Sequence, residues 1–234
     1  MIHQILIAAC GIAFVIGGAN LFHEPAPVPR PTLAAASAAK FPQPAAPPPW
    51  AADLANANPA DGKTAFAACA GCHGAQGLPS PGVPFPRLAG LGAPYVADRL
   101  YDYREGAGPA GNPMQGIARG LAPHTIAALA AYIATLPVPL PKPANGPAAI
   151  QKLDAFGDNA RAIPACGACH GPSGAGVSPF IPALAGQTSS YIAARLSAWR
   201  AMSSPGPDDK VMAAIAKRLT PAEIKALGDF YQQQ

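Results

Sequence analysis

The chain has 234 residues, 50% of them apolar and 12% charged, with a formal net charge of +4 at pH 7. This excludes a coiled coil, a collagen and a highly charged disordered chain, and the want of a basic cluster speaks against nucleic acid as a partner. The 24 glycines and 30 prolines favour loops and extended chain, and five cysteines are too few for a disulfide scaffold, so their spacing carries the message.

The first predicted element is apolar. Ile5 to Leu21 spans 17 residues, and Phe22 extends it to 18, the short end for a membrane helix. Three readings compete: an uncut signal anchor, a signal peptide cleaved near the small pair Gly17 and Ala19, and a lipoprotein attached at Cys10. The leading expectation is one transmembrane helix over residues 1–22, although Met1-Ile2-His3-Gln4 holds no Lys or Arg. It places the chain at the bacterial inner membrane, with its soluble domains on the periplasmic side. Residues 23–50 carry nine prolines in 28 positions and read as an extended, Pro-rich tether, either a plain spacer or a leash.

Beyond the tether the chain repeats. Cys69-Ala70-Gly71-Cys72-His73-Gly74 returns as Cys166-Gly167-Ala168-Cys169-His170-Gly171, an offset of 97. Leu88-Ala89-Gly90 returns as Leu184-Ala185-Gly186, and Arg99-Leu100 as Arg195-Leu196, each at an offset of 96. Met114 returns as Met212, an offset of 98. A duplicated domain explains this order, with halves at 51–136 and 148–234. Residues 137–147 hold five prolines in eleven positions and form a stiff linker.

Each half reads as small and all-α. Apolar periodicity and caps predict helices over Ala60–Ala68, Tyr95–Tyr103 and Thr125–Leu136. In the second half they predict helices over Ser189–Ala201, Asp208–Lys217 and Pro221–Tyr231. Thr220-Pro221-Ala222-Glu223 is a capping-box sequence with Pro at the first helical position. With under 90 residues and few large apolar side chains, each half has a thin core and needs something apolar to fold around.

Cys-x-x-Cys-His is the signature of covalent haem attachment of c type. Two thiols one helical turn apart can reach two vinyl groups on one porphyrin edge, and the next His can present its imidazole to the iron. The candidate residues are Cys69, Cys72 and His73, then Cys166, Cys169 and His170. A thioredoxin-like motif would need a βαβ context, and a zinc site a second ligand pair; neither pattern is evident. A sixth iron ligand is expected from Met or His. Met114 competes with His124, and Met212 with Met202. The repeat favours Met114 and Met212, because Met114-x-x-Ile117-Ala118-Arg119 matches Met212-x-x-Ile215-Ala216-Lys217.

With these motifs in view, the chain resembles the class I cytochromes c, and more closely the dihaem cytochrome c4-like family, over about residues 51–234. Ile163 to Gly176, followed by Pro182-Ala183-Leu184-Ala185-Gly186-Gln187, is similar to the family's second domain. The resemblance implies two tandem class I cytochrome c domains with one covalent haem c each. It implies that Phe66 and Tyr132 pack where the first and last helices cross, with Phe230 in Tyr132's part, and that the His carbonyl partners lie near Pro86 and Pro182. Arg87, Arg99 and Arg195 are candidates for the haem propionates, or belong to solvated helix faces. One departure concerns the second half, which has Asn159-x-x-x-Ile163-Pro164 where the first has Gly62-x-x-x-Phe66, so its first helix is expected earlier, over Ala148–Phe156.

The function so implied is a membrane-tethered single-electron carrier between a quinol-oxidising complex and a terminal oxidase, not itself an enzyme. The alternative is a haem-bearing electron-transfer subunit of a periplasmic dehydrogenase, or a fixed subunit of a respiratory supercomplex. A dihaem peroxidase would need an open iron site, and each half has a Met at the matched position.

Overall fold

In the computed structural model, residues 47–80, 82–107, 112–138, 146–203, 206 and 209–234 are described. The first half runs α1 (Ala51–Ala55), α2 (Pro59–His73), α3 (Ala93–Arg104), α4 (Pro113–Arg119) and α5 (Pro123–Ile133). The second runs α6 (Ala148–Phe156), α7 (Cys166–His170), α8 (Ser189–Ala201), α9 (Lys210–Ala216) and α10 (Pro221–Gln232). Among the described residues, extended pairing is limited to two isolated bridges, Asp158 with Ile163 and Val177 with Ile181. The all-α expectation therefore holds.

Local chemistry sets the helix starts. Asn58 accepts a hydrogen bond from the Ala60 N–H at 3.0 Å, and Asn112 one from the Met114 N–H at 3.0 Å. Proline opens α2, α3, α4, α5 and α10, where a missing N–H costs nothing. The Thr220–Glu223 capping box forms as expected: Thr220 Oγ1 accepts the Glu223 N–H at 3.2 Å, and Glu223 Oε2 accepts the Thr220 N–H at 2.8 Å.

The first core gathers Trp50, Phe66, Val96, Ile126, Leu129 and Ile133. Helices α2 and α5 cross closely because Gly62 has no side chain; a Cβ there would fall 1.9 Å from the Ala128 carbonyl oxygen. Phe66 and Tyr132 meet at this crossing with ring centroids 5.4 Å apart, as the resemblance implies. Alanine fills much of the innermost layer, with Ala89, Ala97, Ala118, Ala127 and Ala130 all buried.

The second half is built differently at its start. Without the Gly-x-x-x-Phe pattern, the first helix stops at Gly157 and resumes only at Cys166. The intervening turn is tied down by Arg161, which donates to Asp158 Oδ2 at 2.7 Å and to both Glu223 carboxylate oxygens on α10, at 2.7 and 3.0 Å. The Arg161 guanidinium holds the Glu223 carboxyl well down, at about 2. Helix α10 packs chiefly on α8, where Gly228 approaches the Ser189 carbonyl. Arg104 on α3 donates to the Leu121 carbonyl at 3.2 Å, and Arg200 on α8 likewise to the Leu219 carbonyl. Arg104 and Arg200 lie 96 residues apart, an offset of the repeat, so these bonds give the matched arginines one structural role in both halves.

The expected membrane anchor is corrected. A span needs about 20 apolar residues, and no helix among the described residues is long and apolar enough to cross a membrane. The longest, α2, has 15 residues and carries Asp61 and Lys63. An apolar run of this length is also what an export signal contains, so the run does not by itself specify an anchor. The transmembrane helix over 1–22 and the inner-membrane location drawn from it are withdrawn. Residues 1–46 and 139–145, with Cys10, most of the tether and most of the linker, lie outside the described residues.

Candidate functional site

The end of α2 places Cys69, Cys72 and His73 on one helical turn, and α7 does the same for Cys166, Cys169 and His170. Cys69 and Cys166 are half-buried, whereas Cys72 and Cys169 are exposed. Burial pushes the Cys69 thiol up, with Cys72 adding to the effect, and pushes Cys166 up to about 11. The repeated glycine after each His has a geometric cause. Gly74 ends α2 at φ 79°, and a Cβ there would lie 2.0 Å from the Leu78 carbonyl oxygen.

The chain then loops back under each His. The Leu88 and Ala89 N–H groups both donate to the Gly77 carbonyl, at 2.8 and 3.2 Å. Leu184 and Ala185 do the same to Gly174, at 2.7 and 3.0 Å. These bonds hold the Pro86 carbonyl 2.9 Å from His73 Nδ1 and the Pro182 carbonyl 2.9 Å from His170 Nδ1. A carbonyl only accepts, so each Nδ1 carries the proton and each Nε2 keeps its lone pair for a metal. Burial lowers the pKa of both histidines against the opposing pull of these carbonyls, which favours the neutral, ligating form.

Met114 lies half-buried in the first turn of α4, and Met212 half-buried in the first turn of α9, against the second core. The two rivals sit elsewhere: His124 is exposed at the start of α5, and Met202 follows the last residue of α8. Among the described residues, no group of three or more His, Cys, Asp or Glu could hold a metal, so the zinc alternative finds no ligand set there.

The three candidate arginines part company. Arg99 pairs with Asp98 at 2.9 Å and Asp102 at 2.6 Å, and Arg195 approaches Asp209 at 3.8 Å while lying 4.5 Å over the Trp199 ring. Arg87 is only 4% exposed, yet its Nε and Nη2 have no hydrogen-bond partner among the described residues. A buried guanidinium in this state asks for an anion. With paired thiols, an oriented imidazole and a thioether in each half, it fits a haem and its carboxylates.

Arg87 also stands where the halves meet. Its N–H donates to Gln187 Oε1 at 2.7 Å, and its carbonyl accepts from Gln187 Nε2 at 3.0 Å. Thr188 Oγ1 donates to the Phe85 carbonyl at 3.2 Å, and the Trp50 and Phe180 rings are 6.3 Å apart. Sequence reasoning missed Gln187 as a functional residue. Its repeat counterpart is Leu91, so no repeated pattern flags it.

The cytochrome c family matches residues 59–137 and 155–233. The chain is 38% identical over 175 residues to a protein of Thiomonas intermedia named thiosulfate dehydrogenase electron acceptor, covering 72% of this chain and 79% of that one. It is 34% identical over 177 residues to cytochrome c4 of Pseudomonas aeruginosa, covering 74% and 87%. A solved thiosulfate dehydrogenase from Marichromatium purpuratum superposes with a TM-score of 0.65 at 35% identity over 76% of this chain, which spans only 40% of that larger protein. The duplicated family match and the c4 relatives give the chain two covalently bound c-type haems and the role of a non-catalytic electron carrier. The chain belongs to the cytochrome c family, as a dihaem member of cytochrome c4-like type.

Proposed function

We propose that this chain accepts electrons from a dehydrogenase, with thiosulfate dehydrogenase as the partner best supported. The observation that carries this reading is the 38% identity, over 79% of its length, to a protein whose name gives that role. The expected shuttle between a quinol-oxidising complex and a terminal oxidase gives way to it as the leading reading.

Each haem, when bound, supplies a one-electron iron couple. In this reading Cys69 and Cys72 hold the first haem covalently, and Cys166 and Cys169 the second. His73 and His170, each donating Nδ1–H to the Pro86 or Pro182 carbonyl, would offer Nε2 to the irons. Met114 and Met212 would supply a thioether to each iron, which favours the reduced state over a second imidazole. With a His and a Met from the chain for each iron, neither half would leave a place for a small oxidant, which suits a carrier. Arg87, buried with Nε and Nη2 unpartnered among the described residues, would pair with a carboxylate of the bound group.

The test mixes the purified holoprotein with thiosulfate dehydrogenase and thiosulfate and follows the haem absorption. The expected result is reduction of both haems, one electron each. Failure of the dehydrogenase to reduce a protein that dithionite reduces fully would overturn the assignment.

A further inference from the structure

The Pro86–Arg87 peptide unit is gripped on both of its sides. Its carbonyl lies 2.9 Å from His73 Nδ1, and its N–H, belonging to Arg87, donates to Gln187 Oε1 at 2.7 Å. The amide orientation of Gln187 is fixed by its partners. Oε1 faces the Arg87 and Thr188 N–H groups, and Nε2 faces the Arg87 carbonyl. Gln187 itself is 3% exposed, so these bonds are made away from solvent.

The second half lacks this arrangement. Pro182 takes the matching place, with its carbonyl 2.9 Å from His170 Nδ1. The N–H of that peptide belongs to Ala183, which is buried and donates to no partner among the described residues. Two histidines with matched carbonyl partners thus differ in what lies behind the carbonyl.

We infer that Gln187, a residue of the second half, tunes the haem iron of the first half through the Pro86–Arg87 peptide. This rests on His73 being the axial ligand. A hydrogen bond to an amide N–H polarises the amide and makes its oxygen a stronger acceptor. The Pro86 carbonyl then draws harder on His73 Nδ1–H, which enriches the ring and raises its basicity at Nε2. A more basic ligand favours the ferric state and lowers the potential. Gln187 is therefore a positioning residue that separates the two haems in potential, and it acts only while the halves are docked.

The experiment uses the full-length holoprotein. Gln187→Met keeps the side-chain length and removes both polar groups. Thr188→Val removes the neighbouring bond to Phe85 and leaves the Pro86–Arg87 peptide untouched. Gln187→Met should raise one midpoint potential so that the ferrous-to-ferric ratio at fixed potential changes about threefold, or ~30 mV at about 59 mV per tenfold. The other potential should stay. In the reduced protein the His73 Nδ1–H NMR signal should move upfield and that of His170 should not, and Thr188→Val should move neither potential. The inference fails if both potentials move together, if Thr188→Val reproduces the shift, or if the His73 signal stays in place. Should Gln187→Met not accumulate with two haems, the wild-type protein serves: the His73 Nδ1–H must lie downfield of the His170 signal, and coincidence or reversal overturns the inference. Failure of the underlying reading looks different, because His73 would then lack the paramagnetic shift of an iron ligand in the oxidised protein.

Discussion

Met114 and Met212 sit in matching first turns of α4 and α9, whereas Met202 closes α8 with its N–H donating to the Trp199 carbonyl at 3.2 Å. In the proposed reading Met212 is the ligand and Met202 a packing residue. Met212→Ala should abolish the weak far-red Met–iron absorption of the second haem and lower its potential, with the first haem unchanged. Met202→Ala should keep that absorption in both halves, and the optical spectrum of the oxidised proteins reads the difference. The histidines could be found from their motif alone. Their carbonyl partners could not, because 13 and 12 residues separate His73 from Pro86 and His170 from Pro182, and only the resemblance pointed there. Nothing in a single glutamine announces that its amide spans two halves of a molecule.

Helices were legible where periodicity and caps agreed, as at Pro221–Gln232. Ser189–Ala201 also falls where the pattern places it, Ala148–Phe156 where the departure from the family pattern does, and the first helix of the first half runs on through its motif to His73. Helix α1 went unseen because Ala51–Ala55 is one turn with no side-chain cap, held by the burial of Trp50 beside it. Helix α4 also went unmarked although Asn112 caps it, whereas α9, its seven-residue counterpart in the second half, was anticipated over Asp208–Lys217. The α2–α5 crossing carries the sharpest packing constraint of the first half. Gly62→Ala would gain helix propensity worth about 1 kcal/mol, but its methyl group would be driven into the Ala128 backbone. Backbone on both sides cannot step aside, so the net effect should be a loss on the order of 2 kcal/mol. Thermal unfolding of the holoprotein should show a lowered Tm. The second half escapes this constraint, because its first helix is split and Arg161 spans the gap to Glu223 instead.

For the whole molecule, charge is spread thinly. Residues 51–136 hold five acids and five bases, and 148–234 hold six acids and eight bases. Strong steering needs one surface of a single sign. The rate of reduction by thiosulfate dehydrogenase should therefore fall by less than about tenfold between low salt and ~0.5 M, as stopped-flow mixing would show. The duplication was plain in the residue order, but the docking of its halves was not. The bonds that join them run from Phe85 and Arg87 to Gln187 and Thr188, positions outside the repeated motifs. The apolar N-terminal run misled for a related reason: hydropathy reports that a segment avoids water, not whether it stays in the mature chain. The alanine-lined interior has a further reach. A methyl group buries little area, so the polypeptide alone has weak cohesion. Polypeptide that leaves the assembly line without its prosthetic groups would be loose and open to proteases. The cellular level of this protein would then follow the supply of haem more closely than the supply of messenger.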